Sequence, residues 1–424
     1  MRPIWVVLGL WLGGCTSAPE HHASVAHPVI VAAAVPQIVA PSQVSLHVLV
    51  GGDVIPHRPQ LVDPESVTAA LAPLAPLFKS ADASVVNYET ATGEVGSHID
   101  PSMLALAAKP AWMHAVAASN VSALVLANNH ACDLGARGLA ASIDTASATG
   151  VTALGASATD PWAPMTIAQK NGRRVCAVAW TTFVNERHHG CGDSPHLAIA
   201  KSDHEGRLRA AKAVSRAFHE GCDAVVAIVH GGEEYQPQTH AMMNVARAVA
   251  EAGAIAVVMH HPHVVSPIVV YETEDGRQVP IYASVGNLVS NQGESWSPEF
   301  PAAQKDRRIV YMNGWTRVGM IADLELSLGA HTTTLASFGD HLVWVDNAHA
   351  HDKSNPRAPI AARLMDPEKD RAVIEKLSRD TLGPRAIFDD PFWIERNRAS
   401  GAISPGPTEG AFSDRGGRAI SPRK

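Results

Sequence analysis

The chain has 424 residues, of which 46% are hydrophobic and 18% charged, with a formal net charge of −7. That length holds two ordinary domains, or one large domain with appendages, and can bury a sizeable core. The acidic balance offers no electrostatic footprint for nucleic acid, and no such partner is expected.

Arg2 precedes an apolar run, Ile4 to Leu12, and then Gly13-Gly14-Cys15. The run is too short to span a bilayer and has the pattern of an export signal, so residues 1–15 are read as a signal segment. Leu12-Gly13-Gly14-Cys15 resembles a bacterial lipobox, which would make Cys15 the lipidated N-terminus and the membrane attachment. Thr16, in place of a retention aspartate, favours the outer membrane or the periplasmic side of the envelope. Residues 16–43, rich in Ala, Val, Pro and His without period, read as a flexible tether.

A folded body is expected over 44–346. Five clusters able to do chemistry each follow a short apolar run of strand length. Gly52-Asp53 follows Leu46 to Val50, Asn87-Tyr88-Glu89 follows Ser84 to Val86, and Asn128-Asn129-His130 follows Ala123 to Ala127. His230-Gly231-Gly232-Glu233-Glu234 follows Ala224 to Val229, and His260-His261-Pro262-His263 follows Ile255 to Met259. Helix-like stretches alternate with these strands at Ser66 to Lys79, Ser102 to Ser119, Ala136 to Thr149, Asp203 to Glu220 and His240 to Ala252. Such alternation predicts a layered α/β domain, with ligands collecting where the strands end. Arg317 to Leu326 and His341 to Val345 read as strands that close the domain. Residues 347–397 form an irregular, partly helical extension with a helix at Pro367 to Arg379, and 398–424 read as a disordered tail.

Four cysteines follow Cys15. In an exported chain they can pair, but spacing does not say how. Cys176 and Cys222, in or beside core strands, have the usual setting of a small buried hydrophobe. Cys191 has no second thiol at zinc-site spacing and is discounted as a ligand.

Asp53 after two glycines can ligate a hard metal or simply close an Asx-turn, and its place in the series favours ligation. His57 is as readily a further ligand as a solvated loop residue. Asn87 and Glu89, two apart in extended chain, point to one side, so Glu89 can reach a metal that Asn87 helps to orient. In Asn128-Asn129-His130 an amide oxygen can ligate while the imidazole serves as general acid, and Asp133 is read as the cap of the next helix. His230, with Glu233 or Glu234, and the alternating pair His261 and His263 supply imidazoles, which suit Zn, Fe or Mn better than Mg or Ca. His188, His189, His240, His349 and His351 have no such setting and read as surface residues. The donors describe one or two divalent cations (Mn, Fe or Zn) holding a water whose acidity rises on binding. Hydrolysis of a phosphoester or an amide-like bond follows, and the residues do not choose between them.

Together these segments, with Asp133-x-Gly135-x-x-Gly138, Tyr235, Val264-Val265 and Ser284-Val285-Gly286-Asn287, resemble the bacterial poly-γ-glutamate capsule biosynthesis family of the CapA type. That family belongs to the calcineurin-like metallophosphatase superfamily. The resemblance covers about Leu46 to Val345 and implies a four-layered α/β/β/α sandwich. It also implies roles: Asp53 and His263 on one metal, Asn129, His230 and His261 on the other, Glu89 as the bridging carboxylate and His130 as general acid. Asn87, Asn128, Glu233, His260 and Asn287 would support them. The sequence departs from the superfamily pattern where Ile55 takes a histidine's place, Glu89 an aspartate's, and Asn128 and His260 those of glycines. The implied function is a metal-dependent hydrolase-like site acting on an anionic cell-surface polymer such as poly-γ-glutamate. Two other readings stand beside it: a phosphodiesterase or phosphatase acting on envelope phosphoesters, and a non-catalytic scaffold of a capsule ligase or export complex.

Overall fold

The structure is a computed structural model, and it describes residues 43–57, 61–94, 105–185, 191, 194–296, 313–329, 332–348, 354–355, 358–366, 368–373 and 375. Cys15, the signal segment, the tether up to residue 42 and the tail lie outside the described residues, as do His188, His189, His349 and His351. Among the described residues no helix is long and apolar enough to cross a membrane.

The strands of the first half are β1 (Val44–Val54), β2 (Ala83–Tyr88), β3 (Ala91–Thr92), β4 (Ala107–Ala108), β5 (Ala123–Val125), β6 (Thr152–Leu154), β7 (Met165–Lys170) and β8 (Arg173–Thr181). Those of the second half are β9 (Ala224–His230), β10 (Ala256–His260), β11 (Ile268–Glu272), β12 (Gln278–Tyr282), β13 (Asn287–Val289), β14 (Val318–Leu328), β15 (Thr333–Asn347) and β16 (Ile360–Leu364). Among the described residues the helices between them are α1 (Pro64–Leu71), α2 (Ala75–Ser80), α3 (Pro110–Ala118), α4 (Gly135–Thr149), α5 (His204–His219) and α6 (His240–Glu251).

Of the two large sheets one runs β16-β15-β14-β1-β2-β5-β6 with β13 beside β1 and the other runs β11-β12-β10-β9-β8-β7, while β3 and β4 pair as a small ribbon. Alternation along the strands builds the layers. Leu46, Val48 and Val50 of β1 meet Val226 and Ile228 of β9 in a core between the sheets. The opposite faces are covered by helices. Leu49 and Val86 pack with Trp112 of α3 and Leu139 of α4, whereas Val225 and Val229 pack with Val214 of α5 and Val245 of α6. The expected α/β/β/α order is present.

Local chemistry sets the helix ends. Asp203 caps α5 by accepting from the Gly206 N–H at 2.8 Å, and Thr239 caps α6 from Met242 N–H at 3.3 Å. The stretch expected as one helix over Ser66 to Lys79 is two, α1 and α2, because Pro73 and Pro76 cannot continue a helix and Pro76 sits in the first turn of the second. The expected helix over Ser102 to Ser119 begins only at Pro110. The first sheet also extends past residue 346. Ile360–Leu364 pairs antiparallel with β15, burying Ile360 and Ala362. Of the helix expected at Pro367 to Arg379, residues 371–373 and 375 are helical and most of the rest lies outside the described residues.

The cysteines pair. Cys176 and Cys222 tie β8 to the residues leading into β9, correcting their reading as simple buried hydrophobes. Cys132 and Cys191 join the turn after Asn129-His130 to a distant loop.

Candidate metal centre

The carboxyl ends of β1, β2 and β5 in one sheet meet those of β9 and β10 in the other. Register brings the residues level: Asp53 lies beside Asn87 on one side and Asn287 on the other, and His230 lies beside His260. β1 comes so near the 284–287 segment that a Cβ at Gly52 would strike the Gly286 carbonyl oxygen, which is why this position has no side chain. Asp53, Asn87, Glu89, Asn129, His230, His261 and His263 are all buried.

Asn87 is the hub. Its amide nitrogen lies 2.8 Å from Asp53 Oδ1, 3.3 Å from Glu89 Oε2 and 3.2 Å from His230 Nδ1. Asp53 is therefore no Asx-turn. Its other oxygen, Oδ2, accepts from His263 Nδ1 at 3.1 Å, and Asn287 Oδ1 accepts from the same nitrogen at 3.0 Å. With Nδ1 facing two acceptors, His263 carries its proton there and turns Nε2 toward Glu89 Oε1 at 3.7 Å. Asn287 is itself fixed, since its amide donates to Gln292 and to the Thr316 carbonyl.

His230 Nε2 and Asn129 Oδ1 stand 2.9 Å apart. Adjacent ligands of an octahedral cation with bonds of about 2.1 Å lie about 3.0 Å apart, so this pair already has ligand spacing. Three overlapping sets bring ligand atoms within 4.8 Å of one another: Glu89 with His230 and His261, Asp53 with Glu89 and His263, and Glu234 with His261 and His263. Glu89, His261 and His263 are each shared between two sets. Glu89 Oε1 and His261 Nδ1 are buried without a hydrogen-bond partner among the described residues, which in a native site calls for an ion or a water. The donors, imidazole nitrogens with carboxylate and amide oxygens, fit a divalent metal of the Mn, Fe or Zn kind.

The ionisation of the site agrees with that fit. Burial, with Asp53 next to it, holds the Glu89 carboxyl well above the usual carboxylate range. Burial pushes His230 well down and His261 to about 3, with neighbouring imidazoles adding to both. His263 goes the other way, up to about 10, because the charges of Glu89 and Asp53 outweigh its burial. A proton held by the Glu89–His263 pair thus stands where a cation's charge would.

Several sequence readings change. His261 and His263 do converge, with ring centroids 5.8 Å apart, but through a tight turn with φ of +100° and +57° rather than an alternating strand. Non-glycine residues at such φ cost roughly 1–3 kcal/mol each and persist where surroundings over-determine them. Glu233 is exposed and outside the ligand sets; Glu234 is the glutamate that faces His261 and His263. His260 donates Nε2–H to the Gly51 carbonyl at 3.0 Å, strutting β10 against β1 rather than facing the ligands. Asn128 donates to the Tyr88 carbonyl and accepts from His130 N–H, so it holds the loop in place.

Asp133 does not cap a helix. Its carboxylate accepts from His130 Nδ1 at 2.6 Å and from the Leu106 N–H at 2.7 Å. The helix begins at Gly135, so the turn between leaves Asp133 free to look back at the ring. With Nδ1–H given to Asp133, His130 presents Nε2 to the site. His57, weighed as a ligand, is in none of the ligand sets. Burial pushes it down to about 3, and His263 and His130 lie near enough to add to the effect. The sequence also gives no sign of Asn185, whose N–H donates to the Asn129 carbonyl at 2.9 Å, or of Phe183, edge-on to His261 at 5.0 Å.

A family model described as bacterial capsule synthesis protein PGA_cap matches residues 47–292, more than half of the chain and the whole of the site. The chain belongs to this capsule synthesis family. Within it, the chain is 32% identical over 202 residues to the capsule biosynthesis protein CapA of Bacillus anthracis, and 29% identical over 177 residues to the PGA biosynthesis protein CapA of Bacillus subtilis. These matches cover 44% and 41% of this chain and 44% of each relative, so the matched part spans less than half the length of either. Among solved structures, the calcineurin-like phosphoesterase YfkN of Bacillus subtilis matches 80% of this chain and 98% of that one, with a TM-score of 0.42 and 15% identity.

Proposed function

We propose that the chain is an exported, lipid-anchored, metal-dependent hydrolase acting in the synthesis, export or trimming of an anionic cell-surface polymer such as poly-γ-glutamate. One observation carries this reading. The buried pair Asp133–His130 directly follows Asn129, whose amide oxygen meets His230 at ligand spacing. A scaffold needs shape and charge at its surface, whereas a carboxylate aiming an imidazole is a device for moving protons.

Asp53, Glu89, Asn129, His230, His261 and His263 would hold one or two cations, with Glu89 shared between them. A bound divalent cation supplies Lewis acidity and acidifies a water for attack on a carbonyl or phosphoryl centre. The rest of the chemistry belongs to the chain. Asp133 holds the His130 ring in one orientation by accepting from Nδ1, and Nε2 delivers a proton to the leaving group. Asn87 and Asn287 fix Asp53 and His263, so the ligand atoms do not have to reorganise.

The test is a leaving-group series on wild type and His130→Gln at matched metal content. General acids contribute about 10²- to 10⁴-fold, so the variant should lose about that much on a poor leaving group and less on nitrophenolate, which needs no proton. Equal losses across the series would refute the acid role. Turnover of phosphodiesters but not of γ-glutamyl bonds would select the envelope phosphodiesterase, and no turnover of either the scaffold. The anchor has its own test: in Cys15→Ser the acyl mass and cleavage before residue 15 should both disappear.

A further inference from the structure

His57 is a polar side chain within electrostatic range of His263 and His130 that has no role in the ligand sets. It sits on the segment leaving β1, where Ile55 N–H donates to the Val289 carbonyl at 2.9 Å. One step further along the same pairing, the Asn291 N–H donates to His57 Nδ1 at 3.0 Å. That bond decides the ring's chemistry. A backbone N–H can only donate, so Nδ1 is an acceptor and the proton of the neutral imidazole resides on Nε2. Nε2 has no hydrogen-bond partner among the described residues, and the ring lies within electrostatic range of both His263 and His130. The loop that supplies Asn291 is the one whose Gln292 grips Asn287, the residue that aims His263. His57 is therefore held in fixed relation to the ligands by a shared main-chain support.

His57 stands outside the ligand sets, and with its proton on Nε2 the ring offers that side of the site a hydrogen bond. We propose that His57 is a substrate-binding residue, whose Nε2–H donates to an anionic oxygen of the substrate held between the ligand cluster and His130. It takes the sequence place near Ile55 where a ligand was expected, but with the opposite chemistry, a donor to substrate rather than a donor of electrons to metal. Burial holds the ring toward its uncharged form, so the N–H it offers is a neutral donor. The inference rests on the hydrolase reading above, and binding and turnover are measured separately so that the two can fail separately.

The experiment uses full-length protein loaded with Mn²⁺, with metal content verified, and two probes titrated calorimetrically: inorganic phosphate and γ-glutamylglutamate. His57→Phe and His57→Leu remove the donor, and His57→Gln keeps an N–H donor beside an acceptor for Asn291. Expected is unchanged metal content in all three, with probe affinity falling about 10- to 100-fold in Phe and Leu, the worth of a hydrogen bond to a charged group, and recovering in part in Gln. Loss confined to phosphate identifies a phosphoryl oxygen; loss confined to the dipeptide identifies a carboxylate or amide oxygen. The proposal is overturned if the donor-less variants bind the probes as tightly as wild type, if they lose metal, or if metal-loaded wild type binds neither probe. His57-dependent binding without turnover of either substrate class would refute the hydrolase reading and leave the binding role standing.

Discussion

The two disulfides close loops of similar length and should cost similar stability when removed, yet only one should disturb the site. Their sequence separations are 59 residues for Cys132–Cys191 and 46 for Cys176–Cys222. The chain-entropy relation gives about 4.2 and about 4.0 kcal/mol respectively. Each double Cys→Ser variant should therefore lose about 4 kcal/mol in urea unfolding of the oxidised protein, and its melting midpoint should drop on the order of 10 °C. Function separates them. Cys132 stands between His130 and Asp133, and a misplacement of about 1 Å at a reacting group costs about 10²-fold, so Cys132→Ser with Cys191→Ser should slow turnover by up to that factor below its melting range. Cys176 and Cys222 lie under α5 and α6, away from the ligand cluster, and their removal should leave turnover and metal content unchanged. Equal effects of the two pairs on turnover, or a stability loss under about 1 kcal/mol for both, would refute the reasoning.

His261→Ala should remove at least one metal equivalent, measured by elemental analysis after gel filtration; full retention would strike His261 from the ligands. Because the Glu89–His263 pair holds a proton in the metal-free site, Mn²⁺ uptake should release it, and affinity should fall as pH falls; titration in buffers of different ionisation enthalpy reads the number released. Asp133→Asn should keep the metal and lose activity most where the leaving group is poor, tracking His130→Gln. Far from the site, Asp323 accepts from both His47 and His341. His47 is raised above 6.5, the pull of Asp323 outweighing burial, so its contribution is complete below 6.5 and disappears as pH rises through the raised value. Asp323 is lowered below 3.8, its histidine partners outweighing burial, so its contribution is complete above 3.8 and disappears as pH falls through the lowered value. This cluster should stabilise most between about pH 4 and 6.5, and Asp323→Asn should flatten that maximum in pH-dependent urea melts.

The strand-end clusters could be read from the sequence because a buried strand is a short apolar run, and the first polar residues after it must lie at the sheet's edge. Asn87 and Glu89 share a side because their chain really is extended there. The same argument fails for Glu233, since Gly232 at φ +120° breaks the alternation and hands the role to Glu234. His260 keeps strand geometry and crosses to Gly51, whereas the turn beginning at His261 redirects the next rings inward. Asp133 looked like a cap because caps and acid partners are both carboxylates near a helix start; only Leu134, which takes the cap position between Asp133 and Gly135, decides which. Disulfide pairing depends on partners 59 and 46 residues away in the chain, which no local pattern encodes.

Asp53, Glu89 and Asn129 come from one sheet, and His230, His261 and His263 from the other. Neither half alone offers a complete set of ligands, so an ion bound in this site would act as a rivet through the seam between the layers. An ion at about 1,000 times its dissociation constant would add about 4 kcal/mol to the folded state, comparable with either disulfide. The affinity for metal is thus a gauge of how closely the two layers meet. A substitution deep in the intersheet core, far from any ligand, should register as a weaker ion before it registers as unfolding.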